Sequence, residues 1–455
     1  MSVLITYFTV VFSVAITLVV AVLVLQQRRT PQSTAAWLIF IMVLPYLAIP
    51  LFFALGFRKQ RARFHPIAFS PPPQTPPQTS GPHTELGEVF RRFGLPPAAP
   101  GNDFSLLADG CDSWAQALAI VRSARDTLDI TFYRIADDAV GRAFVEQLSE
   151  RAAAGVRVRL IIDGLGGFVR PSAQLRAFKR AGGTLRDFSP LLHRPGSRHL
   201  NLRNHRKMIL ADGARVFSGG RNIGLEYLGP DPNANRWVDL SFTLNGPATA
   251  PFADVFRADW AATGAGDTCA AHATHFGGAT TAQLVPSGPD IADDSLHDGL
   301  VHAIHCAQTR VWIATPYFLP TEPLENALSM AARRGVDVQM LVPNRSDQRI
   351  ADIACGAYLR GLQKAGCTIL RYRPGMMHAK AAVIDDVACV GSANFDVRSM
   401  LLNFELMLFV HDSATVAQLA GWYSGAAAHC DTGITAARLP RRVVEGLFRL
   451  GAPML

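Results

Sequence analysis

One spacing occurs twice in the chain and limits the fold more than any other feature. His205-Arg206-Lys207 is followed by Asp212 and then Gly219-Gly220-Arg221-Asn222; His378-Ala379-Lys380 is followed by Asp385 and then Gly391-Ser392-Ala393-Asn394. Residues two apart in a strand project from one face, so each histidine and its lysine can converge on a single ligand atom. Asp212 and Asp385 lie seven residues beyond their histidines. That odd separation turns them to the opposite face and suits a turn-fixing or hydrogen-bonding role. A lone His-x-Lys is ordinarily a satisfied surface pair, but a repeated His-x-Lys-x4-Asp, each copy leading to glycine and then asparagine, is not explained that way.

Other segments repeat with the same long period. Ala154-Gly155-Val156-Arg157-Val158 recurs as Arg334-Gly335-Val336-Asp337-Val338, and Ala181-Gly182-Gly183-Thr184 as Ala365-Gly366-Cys367-Thr368. Such a period indicates a duplicated domain rather than a solenoid. Amphipathic runs at Trp114–Arg125, Gly141–Ala154, Leu296–Gln308 and Pro323–Arg334 predict helices. Apolar β-rich runs at Leu128–Tyr133, Val156–Asp163, Val311–Thr315 and Val336–Pro343 predict buried strands. The fold class is therefore α/β, with two pseudo-symmetric domains at 102–265 and 283–455 packed around one shared site. The Gly/Ala/Thr-rich stretch Ala261–Thr281 separates them.

The amino-terminal end differs in kind. Residues 1–27 carry no charged side chain, and Pro31–Phe57 is again uncharged. Each run is long enough to cross ~30 Å of hydrocarbon, so residues 1–60 read as a transmembrane helical hairpin. Pro45 and Pro50 weaken the second span as a straight helix and allow a kinked or partly re-entrant segment. Arg28 and Arg29 occupy the connecting turn, and Arg58, Lys59, Arg61 and Arg63 the exit. Positive-inside counting then places Met1 and the large body on the cytoplasmic side. Residues 61–101 form a proline-rich tether, with a short helix near Glu85–Phe93.

Charge and cysteine content exclude several classes. The formal net charge is +8, but residues 1–84 contribute six basic and no acidic side chains, leaving only +2 beyond. A chain-wide nucleic-acid surface loses its support. Seven scattered cysteines without a CxxC pair suit a reducing compartment. No metal is expected at the His-x-Lys pairs, since each lysine would repel a divalent cation and no HExxH spacing occurs. His272/His275 and His302/His305 have metal-permissive spacings that read as incidental, and no cofactor is implied. Leu439–Leu450 places Val443, Val444, Leu447 and Phe448 beside Arg438, Arg441, Arg442 and Arg449. It reads either as a basic interfacial helix or as a helix packed on the body.

The paired motifs His205/Lys207/Asp212 and His378/Lys380/Asp385 resemble those of the phospholipase D superfamily. A narrower resemblance, to the bacterial cardiolipin synthases, rests on several further segments: Thr30-Pro31, Ala35-Ala36-Trp37-Leu38, Leu44-Pro45, Asn204-His205-Arg206-Lys207, Gly219 to Gly224, Asn394 to Ser399 and Asn403-Phe404-Glu405. It covers almost the whole chain except the proline-rich tether. Two departures stand out. Five residues separate Asp385 from Gly391 where six separate Asp212 from Gly219, and Gly220 stands where many members have serine.

The resemblance implies two phospholipase D-like domains and a phosphatidyltransferase of the bacterial inner membrane. It would join two phosphatidylglycerol molecules into cardiolipin with release of glycerol. The implied catalytic set is His205, Lys207, Asp212, His378, Lys380 and Asp385. A neutral imidazole attacks an anionic phosphodiester without charge repulsion and forms a phosphohistidine, and a second, protonated imidazole serves the leaving oxygen. His205 is read as the nucleophile and His378 as the acid/base, and near-symmetry leaves the reverse open. Lys207 and Lys380, with Asn222 and Asn394, would donate to the nonbridging oxygens. Asp239 and Glu405 would each bond the far ring nitrogen of a histidine, and the other reading is that they are ordinary surface carboxylates. His193 and His199, flanked by Arg194, Arg198 and Arg203, read as a basic rim near lipid headgroups or as a solvated loop. A hydrolase, a transferase using another acceptor and a noncatalytic membrane scaffold are the alternatives.

Overall fold

The computed structural model describes residues 2–26, 31–56, 64, 66–70, 85–190, 201–264, 266 and 277–450. The six basic residues of the amino-terminal end lie outside these, as do His193, His199, His272 and His275. In chain order the first elements are α1 (Ser2–Leu25), α2 (Pro31–Val43), α3 (Pro45–Leu55) and α4 (Glu85–Arg92). The first half follows as β1 (Ala99–Leu107), α5 (Gly110–Ser123), β2 (Thr127–Phe132), α6 (Ala139–Ala153), β3 (Arg157–Asp163), α7 (Ser172–Arg180), β4 (Thr184–Phe188), β5 (Met208–Ala211), β6 (Arg215–Gly219), β7 (Ser241–Asn245) and α8 (Ala250–Ala262). The second comprises β8 (Thr280–Ser287), α9 (Ser295–Cys306), β9 (Arg310–Ala314), α10 (Glu322–Arg333), β10 (Asp337–Pro343), α11 (Arg349–Ala365), β11 (Thr368–Tyr372), β12 (Ala381–Ile384), β13 (Val387–Gly391), α12 (Val397–Leu401), β14 (Glu405–Val410), α13 (Ser413–Ala427), β15 (Cys430–Thr432) and α14 (Leu439–Leu450).

The strands form one sheet in the order β15-β11-β10-β9-β12-β13-β14-β8-β1-β7-β6-β5-β2-β3-β4. Read outward from the central β8–β1 pair, the two directions repeat each other. In each half a parallel trio, β2-β3-β4 or β9-β10-β11, joins an antiparallel set at β5 or β12. Strands near the middle, such as β2, β5, β12 and β14, are buried along their whole length. Helices cover both faces there, which is why these strands read as apolar runs without alternation. Side-chain caps start several helices: Asp109 for α5, Asp138 for α6, Thr321 for α10 and Asp412 for α13.

The residue missing from the second motif is absorbed at a turn. Ala211 pairs with Arg215 across a three-residue turn, whereas Ile384 pairs with Val387 across a two-residue turn. At the other end of the hairpins the registers agree, Met208 opposite Ser218 and Ala381 opposite Val390. The shortening therefore leaves the end nearer the histidines unchanged.

The amino-terminal region packs on itself and on the body. The break that Pro45 allows is present, and residues 31–56 do not form one straight helix. Leu44 leaves helical geometry ahead of Pro45, and the Trp37 and Phe52 rings lie 5.3 Å apart. Fifteen residues of continuous helix would hold those positions about 22 Å apart, so α3 folds back on α2. Among the described residues no helix is long and apolar enough to cross a membrane. Nor are the described parts of 61–101 a free spacer. Phe64 stacks on Phe188 and meets Phe404 edge-on, and Ser70 bonds Asp254 through its N–H and hydroxyl. Phe90 of α4 is fully buried against Phe409, and β1 begins at Ala99, inside the tether range. The short α4 docks its apolar face through Leu86 and Phe90.

Candidate active site

Each histidine enters its β-hairpin from a short extended segment pinned by the other half. The His205 N–H donates to Phe404 O at 2.9 Å, and the His378 N–H to Val238 O at 2.7 Å. Those carbonyls belong to the residues just before Glu405 and Asp239. Consequently each carboxylate faces the opposite half's imidazole. His205 Nδ1–H donates to Glu405 at 3.0 Å from either oxygen and lies 3.1 Å from Ser392 O. His378 Nδ1–H donates to Asp239 Oδ2 at 2.6 Å. Both acids are fully buried, which excludes the reading of Asp239 and Glu405 as surface carboxylates. A carboxylate on Nδ1 fixes the tautomer and directs the Nε2 lone pair outward.

The lysines complete one electrostatic unit. Lys207 Nζ donates to His205 O at 2.7 Å, while Lys380 Nζ sits against the His378 ring, 2.8 Å from Nδ1 and 3.1 Å from Nε2, and also bonds His378 O. Burial, and then the neighbouring ammonium of Lys380, lowers Lys207 to about 7 against the pull of Glu405 and Asp239. Burial likewise lowers Lys380 to about 8, opposed by both acids. His378 is lowered to about 4 by burial and Lys380, and His205 is lowered by burial against the Glu405 charge. Burial works to raise Asp239 and Glu405, yet both stay below the usual range. Lys380 and His378 hold Asp239 down, and His205 and Lys207 hold Glu405. Two lysines on the verge of losing charge and two neutral imidazoles describe a site awaiting an anion.

Asn222 and Asn394 have buried Oδ1 atoms without a hydrogen-bond partner among the described residues, while each side chain bonds a neighbour, Tyr227 or Asp396. A half-turn of either amide would present its NH2 to a bound oxyanion. Asp212 and Asp385 are not brought to the histidines. Both adopt left-handed backbone, φ 53° and 50°, in the turns at the far ends of the hairpins. Asp212 accepts the N–H groups of Arg125, Asp126 and Thr127, and Asp385 those of Gln308, Thr309 and Arg310. Arg203 is not a rim cation either: it is buried, 3.5 Å from Asp163 and bonded to Ser189 O.

Several site-forming residues escaped the sequence reading. Rings shield both imidazoles, with Tyr133 5.2 Å from His205, and Tyr227 and Trp237 5.2 and 5.1 Å from His378. Trp237 adjoins the Asp239 segment, which was the available signal. Arg206 is fully buried between Asp259 at 2.6 Å and Asp290 at 2.8 Å, and reaches Glu405 O at 3.4 Å. Its place between His205 and Lys207 showed that it faces the other way, but nothing local marked its partners.

A family model described as cardiolipin synthase, phospholipase D-like domain, matches residues 118–260 and 300–425. The chain belongs to that family. A second model, described as phospholipase D-nuclease N-terminal, matches residues 15–56. Cardiolipin synthase 1 of Bacillus cereus is 31% identical over 94% of this chain and 90% of its own length. Cardiolipin synthase A of Pseudomonas aeruginosa is 34% identical over 84% of this chain and 82% of its own. Among solved structures, phosphatidylserine synthase of Haemophilus influenzae Rd KW20 shares the fold, with a TM-score of 0.61 at 14% identity, over 82% of this chain and 98% of that one.

Proposed function

We propose that the chain transfers a phosphatidyl group between two phosphatidylglycerol molecules, giving cardiolipin and glycerol. The observation that carries the reading is the crossed pairing of His205 with Glu405 and His378 with Asp239 beside two buried lysines. A bound phosphodiester anion favours the protonated imidazole, so His378 takes a proton on Nε2 from the adjacent Lys380; His205 Nε2 then attacks phosphorus, the bond to the glycerol oxygen breaks, and that oxygen takes the His378 proton. A hydroxyl of the second phosphatidylglycerol then attacks, its proton passes to His378, and the P–N bond breaks. Lys207 and Lys380 hold the nonbridging oxygens. His205 is assigned as the nucleophile and His378, against whose ring Lys380 Nζ lies, as the acid/base.

The membrane reading rests on the uncharged runs of the amino-terminal sequence and on the apolar surface of α1, which exposes Ile5, Phe8, Phe12, Leu18 and Val19. Positive-inside counting of Arg58, Lys59, Arg61 and Arg63 against Arg28 and Arg29 places the body on the cytoplasmic side, with Met1. A carboxy-terminal reporter active only outside the membrane would overturn this. The two halves run over 102–265 and 283–455, preceded by a connector over 61–101 whose described residues pack on the body.

Purified full-length protein in mixed micelles with labelled phosphatidylglycerol should release cardiolipin and glycerol in equal amounts. Phosphatidic acid as the sole product would overturn the transferase reading in favour of a hydrolase.

A further inference from the structure

Away from the catalytic centre, α9 presents His302 and Cys306 four residues apart, one helical turn along the same edge. Glu85, the first residue of α4, stands beside them. His302 Nε2 lies 3.7 Å from Glu85 Oε1 and 3.8 Å from Cys306 Sγ, and the donor atoms of all three residues lie within 4.8 Å of one another. The nitrogen–oxygen separation is too long for a hydrogen bond. The nitrogen–oxygen and nitrogen–sulfur separations are each a few tenths of an ångström wider than the donor spacings around a tetrahedral ion, about 3.3 Å and about 3.5 Å for Zn–N and Zn–O near 2.0 Å and Zn–S near 2.3 Å. A cavity of about 350 Å³ opens at this edge, lined also by Asp386, whose exposed carboxylate is a further oxygen donor on the same wall.

The packing of α4 makes the placement of Glu85 more than incidental. Phe90 is fully buried, 4.8 Å from Phe409, and a Cβ on Gly299 of α9 would sit 2.2 Å from the Phe90 ring. That close approach holds α4 against α9, and with it holds Glu85 over the His302–Cys306 edge. The donor set also selects among ions. Thiolate and imidazole suit Zn²⁺ and disfavour Mg²⁺ and Ca²⁺, which take oxygen ligands.

The geometry points to a Zn²⁺ site formed by Glu85, His302 and Cys306 that fastens α4 to α9. The sequence directed attention to His302 and His305, but His302 finds its companion one turn on, at Cys306. Binding there ties the end of the proline-rich connector to the second half, so the folded chain gains stability from the metal.

Co²⁺ is the probe. Full-length protein stripped with chelator and titrated with Co²⁺ should bind one equivalent, with thiolate-to-cobalt charge transfer and the intense visible bands of tetrahedral coordination, and Zn²⁺ should bleach both. Cys306→Ser should abolish the charge-transfer band, and His302→Ala and Glu85→Gln should each weaken binding at least about tenfold. Cys111→Ser should leave the spectrum unchanged. Circular dichroism of each variant should match that of the wild type, since Glu85 and Cys306 are exposed and His302 half-buried. Zn²⁺ should also raise the Tm of the wild type and not of Cys306→Ser. Absence of the band in the wild type, or its persistence in Cys306→Ser, would overturn the site.

Discussion

The two halves build the same acid–imidazole contact with different parts. In the second half Ser392 donates its hydroxyl to Glu405 Oε2 at 2.5 Å and offers its carbonyl to His205. In the first half the matching position is Gly220, and the acid is the shorter Asp239, whose Oδ1 accepts the Leu240 N–H at 2.7 Å. A Cβ at position 220 would lie 2.2 Å from Asp239 Oδ1. Glycine there is a steric requirement of this carboxylate, and the serine opposite is a hydrogen-bond donor suited to the longer one. Divergence has been absorbed in the acid and its neighbour, while histidine, lysine and asparagine remain the same in both copies.

The sharpest break of this near-symmetry is chemical. His205→Ala and His378→Ala should each lower transfer on the order of 10⁴-fold, because both imidazoles act in every displacement. Acid-quenched turnover should carry phosphate on His205 alone, and label on His378 would exchange the roles. Next comes the pair of neighbours. Gly220→Ser should cost roughly 100-fold in kcat by displacing Asp239, whereas Ser392→Gly should cost under about tenfold. Equal losses would mean that the two positions do the same job.

A pH series tests the lysines. Lys207 and Lys380 lose their protons at about 7 and 8, so kcat/KM should fall as pH rises through that range. Stability should move the other way. A free lysine ionises near 10.4, so between about pH 7 and 10 the unfolded chain binds more protons than the folded one, and these two groups make stability rise with pH. An activity decline that tracked loss of folding would refute the assignment. The smallest effect concerns the turn aspartates. Asp212→Ala and Asp385→Ala should each cost about 1–3 kcal/mol of stability by orphaning backbone N–H groups, with KM unchanged. Asp385 should cost more, since it also accepts the Thr309 hydroxyl.

Much of this was legible in the primary structure because it is periodic. The alternation of helices and strands and the duplicated histidine and lysine spacing follow from local geometry, whereas Asp212 and Asp385 lie in turns beyond the strand ends, where pleating does not set a face. Asp239 and Glu405 were reachable only through resemblance, since no local rule pairs residues 139 or 200 positions apart. Arg206 with Asp259 and Asp290 was hidden for the same reason. The fold-back at Pro45 and the docking of Phe90 depend on contacts between segments whose composition alone suggested a span and a spacer.

The exchange of carboxylates has a consequence for heredity. Neither copy can function unaided, because each lends its acid to the other, so a lesion at Asp239 or Glu405 disables the imidazole its own half does not own. Neither half can be lost from the chain without leaving the other half's imidazole without its carboxylate.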